Sequence, residues 1–158
     1  MTQAPPRRPN TPTIKEKRMT LSIYLNFNGN CRQAFDFYRS AFGGDYITIS
    51  TFGEGPDDMG MPEDELDRIM HVSLPIGDSV LMGSDTSAAF GPPHQAGNNF
   101  SVSCHPKSRE ETERLFAAIS AGGTVTMPLD DMFWGSYFGA CVDKFGIPWQ
   151  FNHDIQHE

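Results

Sequence analysis

The order strand, helix, three strands is written twice along this chain, and that repetition restricts the fold more than any single motif. The first copy opens with "LSIYLNF" (21–27), an alternating half-buried strand, and turns at "NGN". "CRQAFDFYRSAF" then places Ala34, Phe35, Phe37, Tyr38 and Ala41 at helical spacing, with Gly43-Gly44 as the stop. "DYITIS" (45–50), "RIMHVSLPI" (68–76) and "SVLMGSD" (79–85) supply three strands, the last two as a hairpin about "GD". After "TSAAFGPPHQAG" (86–97), which has linker composition, the order returns. "NNFSVSC" (98–104) is a strand, and "SREETERLFAAISA" (108–121) is a helix. Ser108 with Glu111 has the spacing of a capping box at its start. "TVTM" (124–127), "GSYFGACVD" (135–143) and "GIPWQFNHD" (146–154) complete the second unit.

The two copies align in part. At one offset Gly43-Gly44 falls on Gly122-Gly123 and Phe37 on Phe116. At a slightly shorter offset Gly77 falls on Gly146, Val80 on Trp149, Leu81 on Gln150 and Asp85 on Asp154. Neither unit carries enough apolar surface to stand alone, so the two are expected to share one core. The expected fold is α+β, with two βαβββ modules (20–85 and 98–154) in one structural domain over 20–154. Their eight strands are expected to form a mixed-sheet cup.

Alternation assigns the strand faces. Ile23, Leu25, Phe27, Met70, Val72, Leu74, Val80, Met82, Phe100, Val102, Cys104, Trp149 and Phe151 are expected to lie under the helices. The opposite faces then carry Tyr24, Asn26, His71, Ser73, Leu81, Asn99, Ser101, Ser103, Gln150 and Asn152. That set contains no Lys, Arg, Asp or Glu, unlike an ordinary solvated sheet face. Converging neutral amides and hydroxyls suit a small polar ligand; the same groups could instead satisfy one another in a packed barrel.

Composition removes several classes. The formal charge is −8, and Arg7, Arg8, Lys15, Lys17 and Arg18 against Glu16 give the first 18 residues +4, so the remainder carries −12. An acidic body argues against a nucleic-acid partner. Three cysteines without CxxC spacing indicate neither a disulfide framework nor a zinc knuckle. No apolar run is long enough for a membrane span, and the N-terminus has no apolar signal core. A cytoplasmic protein with a disordered, Pro-rich tail over 1–19 is therefore expected. Residues 54–67 hold seven carboxylates without EF-hand spacing, which suggests a solvated loop able to act as a lid.

"YLNFNGNCRQAFDFYRSAFGGD", "IMHVSLPIGDSVLMGSD" and "FWGSYFGACVDKFGIPWQFN" resemble the PhnB-like branch of the vicinal oxygen chelate superfamily. That superfamily includes glyoxalase I, extradiol dioxygenases, and fosfomycin- and bleomycin-resistance proteins. The resemblance implies paired βαβββ modules, an eight-stranded cup and a homodimer. Some PhnB-like sequences are described as 3-demethylubiquinone methyltransferases, yet no glycine-rich strand–helix turn for S-adenosylmethionine occurs in this sequence. Metal-dependent members place His or Glu ligands on the first and last strands of each module. By strand position those sites fall at Ser22 or Tyr24, Leu81, Asn99 and Gln150, none of which is a typical ligand.

The sequence thus points to a small-molecule-binding protein without the usual metal site and with no cofactor. The alternatives are a lyase or isomerase using His71, with a metal held in a nonstandard way, or a dimeric scaffold that binds nothing. Tyr24, Asn26, His71, Ser73, Asn99, Ser101, Trp134, Gln150 and Asn152 are the candidate ligand contacts. His71 is the candidate acid–base group. Phe133 and Trp134 could rim the cup or pack between modules. Cys141 shares parity with Tyr137 and reads as a buried thiol, a nucleophile only if His71 lay beside it. His94, His105, His153 and His157 fall in predicted loops or at the terminus; His153, His157 and Asp154 could hold a metal ion incidentally.

Overall fold

The computed structural model describes residues 18–155, so most of the expected tail, and His157, lie outside the described residues. Within them the repeat becomes two βαβββ modules. The first comprises β1 (Ile23–Phe27), α1 (Cys31–Phe42), β2 (Thr48–Thr51), β3 (Ile69–Ile76) and β4 (Ser79–Asp85). The second comprises β5 (Val102–Cys104), α2 (Arg109–Ser120), β6 (Thr124–Met132), β7 (Ser136–Val142) and β8 (Pro148–Asp154). The strands form two four-stranded mixed sheets, ordered β1-β4-β3-β2 and β5-β8-β7-β6. In each, the outer first strand runs parallel to the fourth and the other pairs are antiparallel.

Local chemistry explains the helix limits. α1 stops at Gly43, whose φ of 81° suits glycine and whose N–H donates to the Arg39 carbonyl at 2.8 Å. At α2 the Ser108 hydroxyl accepts the Glu111 N–H at 3.1 Å, while the Glu111 carboxylate accepts the Lys107 N–H at 3.0 Å. The expected cap is present, with its return bond moved one residue outward.

The core is continuous across both modules. Phe35, Val72, Leu74 and Leu81 bury the first sheet under α1, and Trp149, Phe151, Leu115 and Ile119 bury the second under α2. α1 also packs on the second module: Tyr38 and Phe42 lie 5.4 and 5.7 Å from the Trp149 ring, and Phe37 lies 5.7 Å from Phe145. The Tyr38 hydroxyl donates to the Asp143 carboxylate at 2.6 Å, in the turn before β8. The modules share a core, as their size requires.

Several expected faces are reversed or shortened. Leu81 is 2% exposed and belongs to the core, whereas Val80 and Met82 point away from α1. Gly83 confirms this parity, since a Cβ there would meet the Phe35 ring at 2.6 Å. In β3, Ile69 is buried in the core and Met70 is not, because the pairing with β2 slips beside it. β5 begins at Val102, so Phe100 is 44% exposed, and Asn99 and Ser101 are exposed outside the strand. His153, expected in solvent, is buried within β8, with its Nδ1 3.0 Å from the Pro106 carbonyl.

Candidate functional site

The register of the first sheet decides which side chains share its face away from α1. Tyr24 pairs with Met82, Asn26 with Ser84, Ser73 with both Met82 and Thr48, and His71 with Ser50. All of these therefore project to one side. Tyr24 and His71 meet directly: the phenol shares a hydrogen bond with Nδ1 at 3.3 Å, and the rings stack at 5.8 Å. A phenol touching an imidazole can orient a ligand or pass it a proton. Tyr24 is 44% exposed, so the pair is accessible, while Ser73 is buried beneath its neighbours.

Tyr24, Asn26 and Ser84 also edge an open cleft of about 1240 Å³. Its other walls are the start of α1, the turn at Phe145, and the inter-module segment with Phe90, His94 and Phe100. A smaller cleft of about 450 Å³ lies at the opposite end of β1, beside Ser103, His105 and Lys107. There the Ser103 hydroxyl sits 3.2 Å from His105 Nε2.

Gln150 and Asn152 occupy the corresponding face of the second sheet, where Gln150 pairs with Ser103 and Ala140. Phe138, Met127 and Met132 add apolar surface to that face, with Ser136, Asp130 and Asp154 as further polar groups. The second face is therefore not free of charge. Trp134 stands at the β6–β7 hairpin tip, 6.1 Å from the Phe138 ring, beside a 99% exposed Phe133. Gln150, Asn152 and Trp134 line neither of these clefts. The candidate residues thus fall into three places: Tyr24, Asn26, His71 and Ser73 on one sheet; Gln150 and Asn152 on the other; Asn99 and Ser101 on the segment before β5.

Cys141 pairs with Trp149 on the helix side of the second sheet, and His71 belongs to the first sheet, so no nucleophile pair forms. Burial, followed by the Asp143 charge, pushes its thiol up to about 11. Burial likewise raises Cys104 to about 11 and Cys31 further still. These thiols stay protonated near neutrality and are poor nucleophiles.

The metal positions that the fold implies can be tested by register. Tyr24 and Met82 face each other on β1 and β4, and Ser103 and Gln150 on β5 and β8. A phenol, a thioether, a hydroxyl and an amide do not fit a divalent cation that prefers imidazole or carboxylate. Among the described residues no three His, Cys, Asp or Glu side chains come together as a cation site.

The acidic loop is partly a strut. Glu65 is buried; it accepts the Ser87 hydroxyl and, at 3.3 Å, the Ala88 N–H. The Ser87 hydrogen bond leads in holding the Glu65 carboxyl below its ordinary value. A lowered carboxyl stabilises above the unfolded value, about 4.3, and that contribution fades as pH falls through the folded value. The protection factor of the Ala88 amide, its exchange rate divided into the intrinsic rate at the same pH, is therefore expected to fall on acidification in wild type. The fall should be absent in Glu65→Gln, as NMR exchange rates can check.

The family model described as 3-demethylubiquinone-9 3-methyltransferase matches residues 19–152 of this chain. The chain belongs to the PhnB-like family. Its relatives include protein YjdN of Escherichia coli, 32% identical over 145 residues, spanning 85% of this chain and 95% of that protein. The crystal structure of protein PA1353 from Pseudomonas aeruginosa matches with a TM-score of 0.77 and 39% identity, covering 87% of this chain and 98% of that one. A fosfomycin resistance protein from Listeria monocytogenes, FosX, solved with Mn(II) and dihydroxypropylphosphonic acid, matches with a TM-score of 0.55 and 13% identity. It covers 83% of this chain and 88% of its own, and the likeness is one of fold. No helix among the described residues is long and apolar enough to cross a membrane.

Sequence reasoning missed Met82 and Ser84 on the open face, the carboxylate of Asp85 at the end of the same strand, and that of Asp143 in the turn before β8. Alternation contained the first pair, but the strand was read one residue out of phase. Asp85 had a signal too: a lone carboxylate closing an otherwise uncharged strand.

Proposed function

We propose that this PhnB-like protein binds a small uncharged molecule without a metal ion, in the cleft edged by Tyr24, whose phenol touches His71 outside the cleft wall. The observation that carries this reading is the roughly 1240 Å³ cleft edged by neutral hydrogen-bonding side chains and by one carboxylate, Asp85, already engaged by backbone N–H groups. The neutral quartet at the family's metal positions supports it further. A thermal-shift screen of small-molecule ligands should give stabilising compounds for wild type and none for Tyr24→Ala or His71→Ala. A flat wild-type response, unmoved by Tyr24→Ala or Gln150→Ala, would leave only the scaffold. Stoichiometric zinc, manganese, iron or nickel in untagged protein would overturn the metal-free reading.

The second reading is an enzyme, a lyase or isomerase in which Tyr24 and His71 move a proton to and from a small oxygenated substrate. The 3.3 Å contact between the phenol and Nδ1 favours it. Once a ligand is found, turnover that is lost in His71→Gln while binding persists would establish it; unchanged ligand would exclude it. The protein is cytoplasmic and homodimeric in either reading. The exposed Phe133 and Trp134 at one hairpin tip support an association surface. Sedimentation of wild type and Phe133→Ala checks the dimer.

A further inference from the structure

We infer that the inter-module segment, residues 86–100, is a wall of the ligand site and that Phe90 and Phe100 select a flat, uncharged ring compound with hydrogen-bonding edges. The inference rests on the binding reading above and names its ligand class.

The segment is fastened along its length. The Thr86 carbonyl accepts from Arg68 at 2.9 Å, the Ser87 hydroxyl donates to Glu65, and its oxygen accepts the Ala89 N–H at 3.0 Å. Further on, His94 Nε2 meets the Asn26 carbonyl at 3.2 Å, on the strand that carries Tyr24. Pro92 and Pro93 stiffen the stretch between these ties. Phe90 and Phe100 are 47% and 44% exposed, and both line the cleft. Half-exposed phenyl rings held on a fastened segment present faces on which a planar ligand can stack.

Charge then narrows the ligand. The N-terminus of α1 opens toward the cleft, and such ends attract anions. Asp85 already occupies this one: its carboxylate accepts the N–H groups of Gly29 at 2.8 Å and Cys31 at 3.0 Å. Its other oxygen accepts the Ile69 N–H at 2.8 Å. Among the described residues no Lys or Arg lines the cleft. An anionic ligand would meet the Asp85 carboxylate, with the Arg68 guanidinium behind the wall already engaged by Asn28 at 3.0 Å and the Thr86 carbonyl at 2.9 Å, and a cation would compete with three fixed N–H donors. What remains, among the described residues, is a set of side chains making no hydrogen bond within the protein: Asn26, Asn30, Ser84 and Gln95. Amides offer a donor and an acceptor together, the complement of a lactam edge.

The test uses three bicyclic probes of similar size: quinolin-2-one, quinoline-2-carboxylate and naphthalene. Titration of ¹⁵N-labelled full-length protein should show quinolin-2-one perturbing the side-chain amides of Asn26, Asn30 and Gln95. The carboxylate and naphthalene should bind more weakly. Phe90→Ala combined with Phe100→Ala should raise the quinolin-2-one Kd by about tenfold, the loss of two stacking contacts. Phe133→Ala should leave that Kd unchanged. Both replaced rings are half-exposed, and an unchanged melting temperature will verify that the fold persists. Equal binding of the carboxylate, or of none of the three, would overturn the ligand class. A Kd within about twofold of wild type in the double variant would overturn the role of the segment. In that case shifts confined to Tyr24 and His71 would leave the binding reading standing, whereas a flat ligand screen would remove that reading itself.

Discussion

Asp143→Ala is expected to lower stability by about 3–5 kcal/mol, the largest effect of any single polar substitution in this chain. One carboxylate accepts four donors: the Tyr38 hydroxyl at 2.6 Å, the Trp149 indole N–H at 2.9 Å, and the N–H groups of Phe145 and Ile147 at 2.8 and 3.0 Å. Asp143 is 3% exposed and Tyr38 and Trp149 are more deeply buried, so water cannot replace the lost acceptor. Tyr38 belongs to α1 of the first module and Trp149 to β8 of the second, so the carboxylate ties the modules together. The same hydrogen bond, after burial and the Asp143 charge, keeps the Tyr38 phenol above its ordinary ionisation range. Urea unfolding followed by tryptophan fluorescence should show a large drop in midpoint for Asp143→Ala. Tyr38→Phe, which removes one donor, should lose about 1–2 kcal/mol. Equal losses in the two variants would show that the carboxylate acts through Tyr38 alone.

Asp85→Ala is expected to cost about 3–4 kcal/mol and to loosen the ligand cleft at the same time. Its carboxylate gathers the N–H groups of Gly29, Cys31 and Ile69, fastening the end of β4 to the start of α1 and the start of β3. Removing it strands three backbone donors, two of them in buried bonds, and uncovers a helix N-terminus. Hydrogen exchange should accelerate at the Cys31 and Ile69 amides and remain slow at the Trp149 indole, which answers to Asp143 instead. Uniform acceleration at all three would mean that the whole domain unfolds and that Asp85 has no local role.

Much of this fold was legible in the sequence because its signals are local. Helix periodicity, Gly43 at the α1 stop, the Ser108 cap and strand alternation placed both helices and located the strands, although β6 runs five residues past the expected Met127 and β5 starts four residues late. The relative phase of the modules was not local. Gly77 and Gly146 invited a match that laid Leu81 on Gln150, but both glycines are there for turns with φ of 56° and 86°. The β3–β4 hairpin closes with Ile76 opposite Ser79, whereas Val142 pairs with Pro148 across a longer turn that holds Asp143. The register partners make Leu81 the counterpart of Trp149 and Met82 that of Gln150. A slip of one residue moves a whole strand to the other face.

For the candidate site, the neutral character of Tyr24, Asn26, His71, Ser73, Gln150 and Asn152 and the poor metal donors could be seen in the residue types alone. Their distribution over two separate sheets could not, because it depends on where each module's edge falls. Nor could the role of the inter-module segment, whose Gly- and Pro-rich composition says only that it is irregular. Glu65, Arg68 and Asn26, distant in sequence, hold that segment against the cleft. By itself the sequence determined the repeated module, the helix-facing core and the absence of charge from most of the open faces, because those follow from spacing and side-chain type. Tertiary structure alone decided the phase of β4, the burial of Asp85 and Asp143 and the wall of the cleft. Each of those depends on turn lengths and on donors brought together from distant parts of the chain.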